Sequence, residues 1–443
     1  MTIKLSDHFT YSKLLRFVFP SIIMMIFTSI YGVVDGLFVS NFAGKTAFAS
    51  INLVMPFVMI LGGIGFMIGT GGTALVSKVL GEGNKEKANK YFTMMIIFTL
   101  LLGALLSIIG VLSMPRVSIL LGATEEMLDD CILYGKIVTG FTVAFMLQNV
   151  FQSFLIAAEK PRLGLLATVL AGCTNMVLDA VFIIVLKWGV AGAAIATGIS
   201  QCIGGLFPLI YFSRKNSSLL RLTKTKLQIK PILSACGNGS SELMSNISSS
   251  IVSMIYNFQL MKYIGEDGVS AYGVLMYVQF IFIAIYIGYS IGCAPIIGYH
   301  YGAQNHDELK NMLKKSSILT AIAGIIMTVL AIVLSSPLAK IFVGYDAELY
   351  ELTRHAFKLF AYSFLLAGFN IFASSFFTAL SNGAVSAAIS FMRTLVFQTS
   401  SVLILPLFLD VDGIWWAITV AEVCAFILSL VFLFVKRGKY HYM

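Results

Sequence analysis

Asp35 is a carboxylate set in an otherwise apolar run from Phe17 to Val39. Asp179, Glu242, Arg393 and Glu422 each interrupt a long hydrophobic segment of their own. An ionisable group at the centre of a bilayer costs on the order of 2.5–3.5 kcal/mol even on the mildest scale, and persists there when it handles a proton, an ion or a charged substrate. Asn175 precedes Asp179 by one helical turn, so amide and carboxylate share a face. Counted along their segments at ~1.5 Å per residue, Asp35, Tyr134, Asn175, Asp179 and Thr197 can reach one depth, in the outer half of the first half of the chain. Two carboxylates close together in a low dielectric titrate as a pair and can share a proton. The same oxygens, with those of Asn175 and Thr197, can instead ligate a sodium ion. A third reading leaves Asp35 and Asp179 as hydrogen-bonded bridges between helices, and Tyr134 and Thr197 as packing residues.

A second polar group comprises Glu242, Arg393 and Glu422, all near mid-segment. Gly237 and Gly239 lie one turn before Glu242, and Ser240 and Ser241 lie beside it. Either Arg393 neutralises a glutamate in a buried ion pair, or the group is a second cation or proton site. No acid occurs between Ala356 and Leu380, so the tenth segment supplies none. Pro20 removes a helix hydrogen bond and is a hinge candidate, although a proline close to a helix start is often benign. Met55, Gln148, Gln152, Met254, Tyr256, Met276, Tyr277, Gln279 and Phe280 are candidates for lining a substrate cavity. Thioethers and ring faces suit a promiscuous apolar surface and attract organic cations. At helical spacing the same residues also serve as ordinary packing.

The elements that must position these side chains are membrane helices. The chain is 58% hydrophobic and 12% charged, with a mean hydropathy of +0.89; a soluble domain carries about 25% charged residues. Apolar runs long enough to cross ~30 Å of hydrocarbon recur throughout. They predict twelve spans, at 14–39, 50–76, 91–113, 132–157, 163–186, 190–213, 232–260, 270–297, 317–336, 356–380, 385–409 and 413–436. Helices satisfy every backbone donor and acceptor internally, as lipid requires. The first run is too long for a signal-peptide core and has no small-residue cleavage site after it, so it is expected to remain as a span. With the N-terminus cytoplasmic, the inner segments hold 21 of the 30 lysines and arginines and the outer segments 8, with Arg393 inside the membrane. The positive-inside rule then places both termini in the cytoplasm and makes the chain a multi-pass protein of the cell membrane. The formal charge of +9 is accounted for by loops lying on anionic lipid and calls for no nucleic-acid partner. Five of the six cysteines fall within spans, without metal-ligand spacing, and read as reduced core residues.

A basic stretch, Arg214–Lys230, divides the spans six and six. It sets the expected boundaries: a first lobe at 1–213, a cytoplasmic linker at 214–231 and a second lobe at 232–443. The halves carry weak internal similarity. Gln152-Ser153-Phe154 pairs with Ser374-Ser375-Phe376, Ala49 and Leu53 with Ala271 and Leu275, Gly81-Glu-Gly-Asn84 with Gly302-Ala-Gln-Asn305, and Gly189-Val190 with Gly413-Ile414, all at nearly one offset. Parallel six-span repeats place two lobes about an axis along the membrane normal, with a cavity between them.

Together these features resemble the multidrug and toxic compound extrusion family over essentially the whole chain. The resemblance rests on Pro20 and Asp35 in the first span, Asn175-x-x-x-Asp179 in the fifth, Thr197 in the sixth, and the two Gly-x-x-Asn loops after spans two and eight. The segment from Gly237 to Glu242, with Glu422, is closer to the MepA-like or DinF-like branch than to the NorM-like one. In NorM-like members a glutamate of the seventh span works with an aspartate of the tenth; here the glutamate is present as Glu242 and the aspartate is absent. The resemblance implies an all-α V-shaped membrane fold that exports amphipathic, often cationic drugs or metabolites in exchange for H+ or Na+. It also implies that the first helix bends near its proline as the lobes rock between outward-open and inward-open states. No cofactor beyond the coupling ion is expected, and the chain is expected to act as a monomer. The rival readings are a flippase for lipid-linked precursors, which needs a cationic cavity, and an enzyme. An enzyme needs a nucleophile–base pair or metal ligands at depth, and no histidine lies deep in a span.

Overall fold

A computed structural model describes residues 3–443 of the chain. Among these residues there is no strand; fifteen α-helices and three π-helical turns make up the regular structure. In order the helices are α1 (Tyr11–Phe38), α2 (Lys45–Gly81), α3 (Lys85–Leu120), α4 (Glu125–Gly140), α5 (Thr142–Ala157), α6 (Pro161–Asp179) and α7 (Gly189–Ser213). After the linker come α8 (Ile229–Tyr263), α9 (Glu266–Gly302), α10 (His306–Val343), α11 (Ala347–Ala361), α12 (Phe364–Ala379), α13 (Gly383–Phe391), α14 (Gln398–Ile404) and α15 (Pro406–Tyr440). Nine helical segments are long and apolar enough to cross a membrane. The α4–α5 pair, bent by 54°, and the α11–α12 pair, bent by 48°, are each long and apolar enough to cross when taken together, which brings the number among the described residues to eleven if each pair is one span. The seventh expected span corresponds to α8, which at 35 residues is long enough but rich in serine and asparagine, and which packs along α2.

The twelve expected spans therefore map onto these helices, with differences at their ends and joints. The fourth and tenth spans are bent pairs where uninterrupted helices were expected. Helix α15 runs from Pro406 but is broken at Asp410, whose φ of 48° and ψ of −132° are not helical, so the chain turns between the expected eleventh span, ending at 409, and the twelfth, starting at 413. The stretch between α7 and α8 is non-helical from residue 214 to residue 228.

The halves repeat in three dimensions. Helix α3 begins at Lys85 and α10 at His306; α4 begins at Glu125 and α11 at Ala347; α6 begins at Pro161 and α13 at Gly383. The Gly-x-x-Asn loops show how the sequence builds this. Asn84 caps α3 by accepting from the Lys87 N–H, and Asn305 caps α10 by accepting from the Glu308 N–H, each satisfying an otherwise orphan helix donor. The glycine that opens each loop lies against the other half. A Cβ at Gly81 would strike the Tyr299 carbonyl oxygen, and one at Gly302 would strike that of Lys78. Further along the same interface, Gly71 of α2 and Gly239 of α8 bring their backbones together, so that a Cβ on either would meet the opposite main chain. These contacts lie in the half of the molecule nearer the chain termini.

The N-terminal stretch straps the two halves together at that end. Leu5 and Phe9 are fully buried. The Leu5 N–H donates to Glu159 Oε1 at 2.6 Å, between α5 and α6, and the Phe9 N–H donates to Glu308 Oε1 at 2.9 Å, in the first turn of α10. Lys315 Nζ donates to the Phe9 carbonyl at 2.6 Å.

Candidate functional site

Helix α1 carries Asp35 one turn after Tyr31 and ends at Phe38, where a π-helical turn, Val39–Ala43, takes over. Asp179 is the last residue of α6 and is followed at once by a second π-helical turn, Ala180–Val185. The two helices approach closely: a Cβ at Gly172 would stand 2.5 Å from the ring of Phe27 and 2.8 Å from that of Tyr31. The approach brings the carboxyl groups of Asp35 and Asp179 within hydrogen-bonding reach of each other. Tyr134 of α4, itself buried, lies beside both.

Asp179 and Asn175 are buried, whereas Asp35 is half-buried. Among the described residues no group donates a hydrogen bond to either carboxylate oxygen of Asp179, to Oδ1 of Asp35 or to Oδ1 of Asn175. Three of these acceptors are oxygens of the Asp35–Asp179 pair, and Asn175 lies one turn before Asp179 on α6. A buried acceptor left unpaired costs about 1–3 kcal/mol, and more when charged. A proton, a cation or a water molecule can satisfy such oxygens.

Thr197 is half-buried on α7, and its hydroxyl forms no hydrogen bond to the carboxylates; the neighbouring Ser200 hydroxyl donates to its backbone carbonyl at 2.8 Å. Tyr31, which the sequence reading passed over, stands next to both Asp35 and Gln148. Its one-turn spacing from Asp35 was the available signal. Gln148 and Gln152 are buried in α5, each with an unpartnered side-chain oxygen.

In the second half the three charged residues separate. Arg393 lies in the third π-helical turn, Met392–Phe397. Its Nε and Nη2 donate to Glu422 Oε1 at 2.9 and 2.7 Å, and Nε also reaches Oε2 at 3.0 Å. The Asn370 amide of α12 adds bonds to the Glu422 carbonyl at 2.9 Å and to Oε2 at 2.7 Å, and Ser429 Oγ donates to Asn370 Oδ1 at 3.3 Å. The tenth span thus contributes a neutral amide where an acid is missing. Glu242 is outside this network. It lines a separate cavity of about 50 Å³ together with Thr70, Thr73, Ser153, Ser290 and Ser375. Those residues come from both halves, and the hydroxyls of Thr73, Ser153 and Ser290 have no protein partner.

Pro20 is buried within α1, and the residues around it are gripped by α9. A Cβ at Gly288 would stand 2.6 Å from the Ile22 Cα, and one at Gly292 would stand 2.9 Å from the Val18 Cβ. The cavity candidates divide. Tyr256 is buried and stacked on Tyr272 with centroids 5.1 Å apart, so it packs inside the second half rather than lining an open surface. Tyr277 stacks on Phe342 of α10. Met254 and Phe280 are 59% and 63% exposed. Met55, Met276 and Gln279 are half-buried.

The fold and the buried charges define a polytopic α-helical membrane protein with one polar cluster at depth in each half. The family model MatE matches residues 20–181 and again residues 243–402, and the chain belongs to that family, multidrug and toxic compound extrusion. Among curated proteins it is similar to the multidrug export protein MepA of Staphylococcus haemolyticus, at 26% identity over 94% of this chain and 92% of that protein. Among solved structures, it resembles a MATE transporter described in the straight conformation, with a TM-score of 0.93, 21% identity and 98% of each chain covered. A multidrug resistance MATE family transporter described as outward-facing gives 0.92, 22% and 98% of each chain.

Proposed function

We propose that this chain is a secondary antiporter that exports amphipathic, often cationic drugs or metabolites in exchange for H+ or Na+. The observation that carries the reading is the facing Asp35–Asp179 pair, whose buried oxygens have no protein donor. A proton or sodium ion between them removes the repulsion of two buried charges; its loss restores that repulsion and favours a different arrangement of α1 and α6. Asp35 is the more exposed of the two and forms the entrance, with Tyr134 and Asn175 as neighbours and Tyr31 leading toward Gln148. Asp179 directly precedes a change from α to π winding and Asp35 lies one turn before another, and such π turns occur frequently at functional sites. A helix end wound in this way can change register without breaking the whole span.

Export requires the two halves to alternate. The closest backbone approaches between them lie in the half near the termini, which supports a state whose cleft opens at the opposite end, the outer face if both termini are cytoplasmic. The grip of α9 on α1 around Pro20 supports a bend at that proline, with the segment bearing Asp35 moving against a fixed base. The flippase reading needs a free cation at depth for a phosphate-bearing cargo. Arg393 is the cation available there, and Glu422 occupies its guanidinium.

The test is transport in inside-out vesicles with proton and sodium gradients imposed separately. Uptake of ethidium driven by one gradient, and lost in Asp35→Asn at matched expression, is the expected result. Uptake that ignores both gradients, or near-normal uptake by Asp35→Asn, refutes the assignment.

A further inference from the structure

On the flank of the first half, at the end that carries both chain termini, lies a cavity of about 470 Å³. Four cations from four distant stretches of sequence line it: Lys4 of the N-terminal strap, Lys85, Lys160 and Arg221 of the linker. Lys85 is the first residue of α3 and Lys160 immediately precedes α6, so the positive ends of two helix dipoles converge there as well. Ser217 brings a hydroxyl and Leu219 an apolar wall, while the Ser218 hydroxyl is bonded to Asn216 Oδ1 and the Leu220 carbonyl at 2.6 and 2.7 Å. One carboxylate, Glu159, faces the cations. Its Oε1 already accepts the Leu5 N–H at 2.6 Å. Burial holds its pKa above the ordinary glutamate value, against the opposing pull of that bond and of Lys4.

The walls are held in place. The Arg221 N–H donates to Asn89 Oδ1 and the Thr223 N–H to Thr93 Oγ1, both at 2.9 Å, which seats the linker along α3. Lys160 Nζ reaches Ser217 Oγ at 3.2 Å. Every lining residue comes from the strap, the first half or the linker, so the cavity lies beside the cleft between the halves and not within it.

We propose that this cavity binds a phosphate-bearing anion, presented by the headgroup of an anionic phospholipid. Convergent lysine and arginine side chains, helix N-termini and a serine hydroxyl are what a phosphodiester requires. The volume is far larger than a lone phosphate fills, and Leu219 offers contact to a glycerol backbone. Basic pockets of this kind at the membrane boundary recognise acidic headgroups. Occupancy ties the strap, the α2–α3 loop, the α5–α6 turn and the linker into one unit.

The experiment uses the full-length protein, purified in dodecyl maltoside and stripped of lipid. Phosphatidylglycerol, phosphatidylcholine and inorganic phosphate are titrated separately, with native mass spectrometry and thermal unfolding as readouts. Phosphatidylglycerol is expected to be retained at one per chain and to raise the melting temperature, while phosphatidylcholine does neither. The triple variant Lys85→Gln/Lys160→Gln/Arg221→Gln should bind it roughly 100-fold more weakly, from about 1 kcal/mol per cation near an anionic lipid. A control triple, Lys87→Gln/Lys224→Gln/Lys226→Gln, removes the same charge from the same end and should bind within about threefold of the parent, since none of the three lines the cavity. Equal losses in both triples reduce the effect to general surface charge and overturn the proposal, as does undiminished binding by the cavity triple. Inorganic phosphate that matches phosphatidylglycerol, with its effect abolished in the cavity triple, assigns the site to a soluble phosphate compound and overturns the lipid source.

Discussion

Replacing Glu422 by Gln should destabilise the protein, whereas the same change at Glu242 should not. Glu422 is 2% exposed and is held by three contacts from Arg393, the shortest 2.7 Å, and by the Asn370 amide. Without the carboxylate charge, the Arg393 guanidinium is left desolvated beside an amide that turns a donor toward it. Breaking one side of a buried ion pair costs roughly 3–5 kcal/mol. At about 2–4 °C per kcal/mol for a cooperative unit of 150–250 residues, the melting temperature should fall by roughly 6–20 °C. Among the described residues Glu242 has no ion-pair partner, and its side chain faces a small hydroxyl-lined cavity, so Glu242→Gln should melt within about 2 °C of the parent. The double variant Arg393→Met/Glu422→Met removes both charges and should recover most of the loss, because matched apolar replacement of a buried pair is often neutral or better. Thermal unfolding in detergent, followed by tryptophan fluorescence, measures all three. The reasoning fails if Glu422→Gln melts with the parent, or if the double variant is no more stable than Glu422→Gln.

Other outcomes follow from the same geometry. Asp35→Asn and Asp179→Asn should each abolish gradient-driven ethidium export, and the double variant should be no worse than the singles, since either change empties one shared site; a clearly additive loss in partially active singles would separate the two residues. Gly81→Ala and Gly302→Ala each drive a methyl into a main-chain carbonyl of the opposite half and should cost about 1–3 kcal/mol of thermal stability, while Gly83→Ala, which has open space but a φ of +80°, tests backbone strain alone. Tyr31→Phe should slow export severalfold at unchanged expression if its hydroxyl connects Asp35 to Gln148, and export at the parent's rate would remove it from the site.

Much of this architecture was legible because lipid leaves few choices. Length and apolarity predicted twelve spans, and the repeated Gly-x-x-Asn loops marked the two corresponding turns. The span expected at 232–260 falls within α8, Ile229–Tyr263, despite its serines and asparagines. The bends at Phe141 and Tyr362 have no proline, and although α4 and α11 are more polar than α5 and α12, nothing local marks the angle. The π turns were likewise invisible: Ala180–Val185 is an apolar run like its neighbours, and nothing in the composition of Val39–Ala43 or Met392–Phe397 distinguishes π from α winding. At the site, Asp35, Asn175 and Asp179 stood out as polar groups in apolar segments. Tyr31 did not, because a tyrosine in a span is unremarkable until its neighbour is known. The partition of Arg393 to Glu422 rather than to Glu242 is a matter of tertiary approach, which no local pattern encodes.

The central claim is that the Asp35–Asp179 pair carries the coupling ion and surrenders it when substrate binds. Ion release by the purified protein tests this most directly, using a pH indicator in weakly buffered detergent and, in parallel, a sodium-sensitive dye during addition of saturating ethidium. The parent should release protons or sodium ions in proportion to bound ethidium, and the Asp35→Asn/Asp179→Asn variant should release neither while remaining folded. Undiminished release by that double variant would contradict the account and place the coupling ion elsewhere in the molecule.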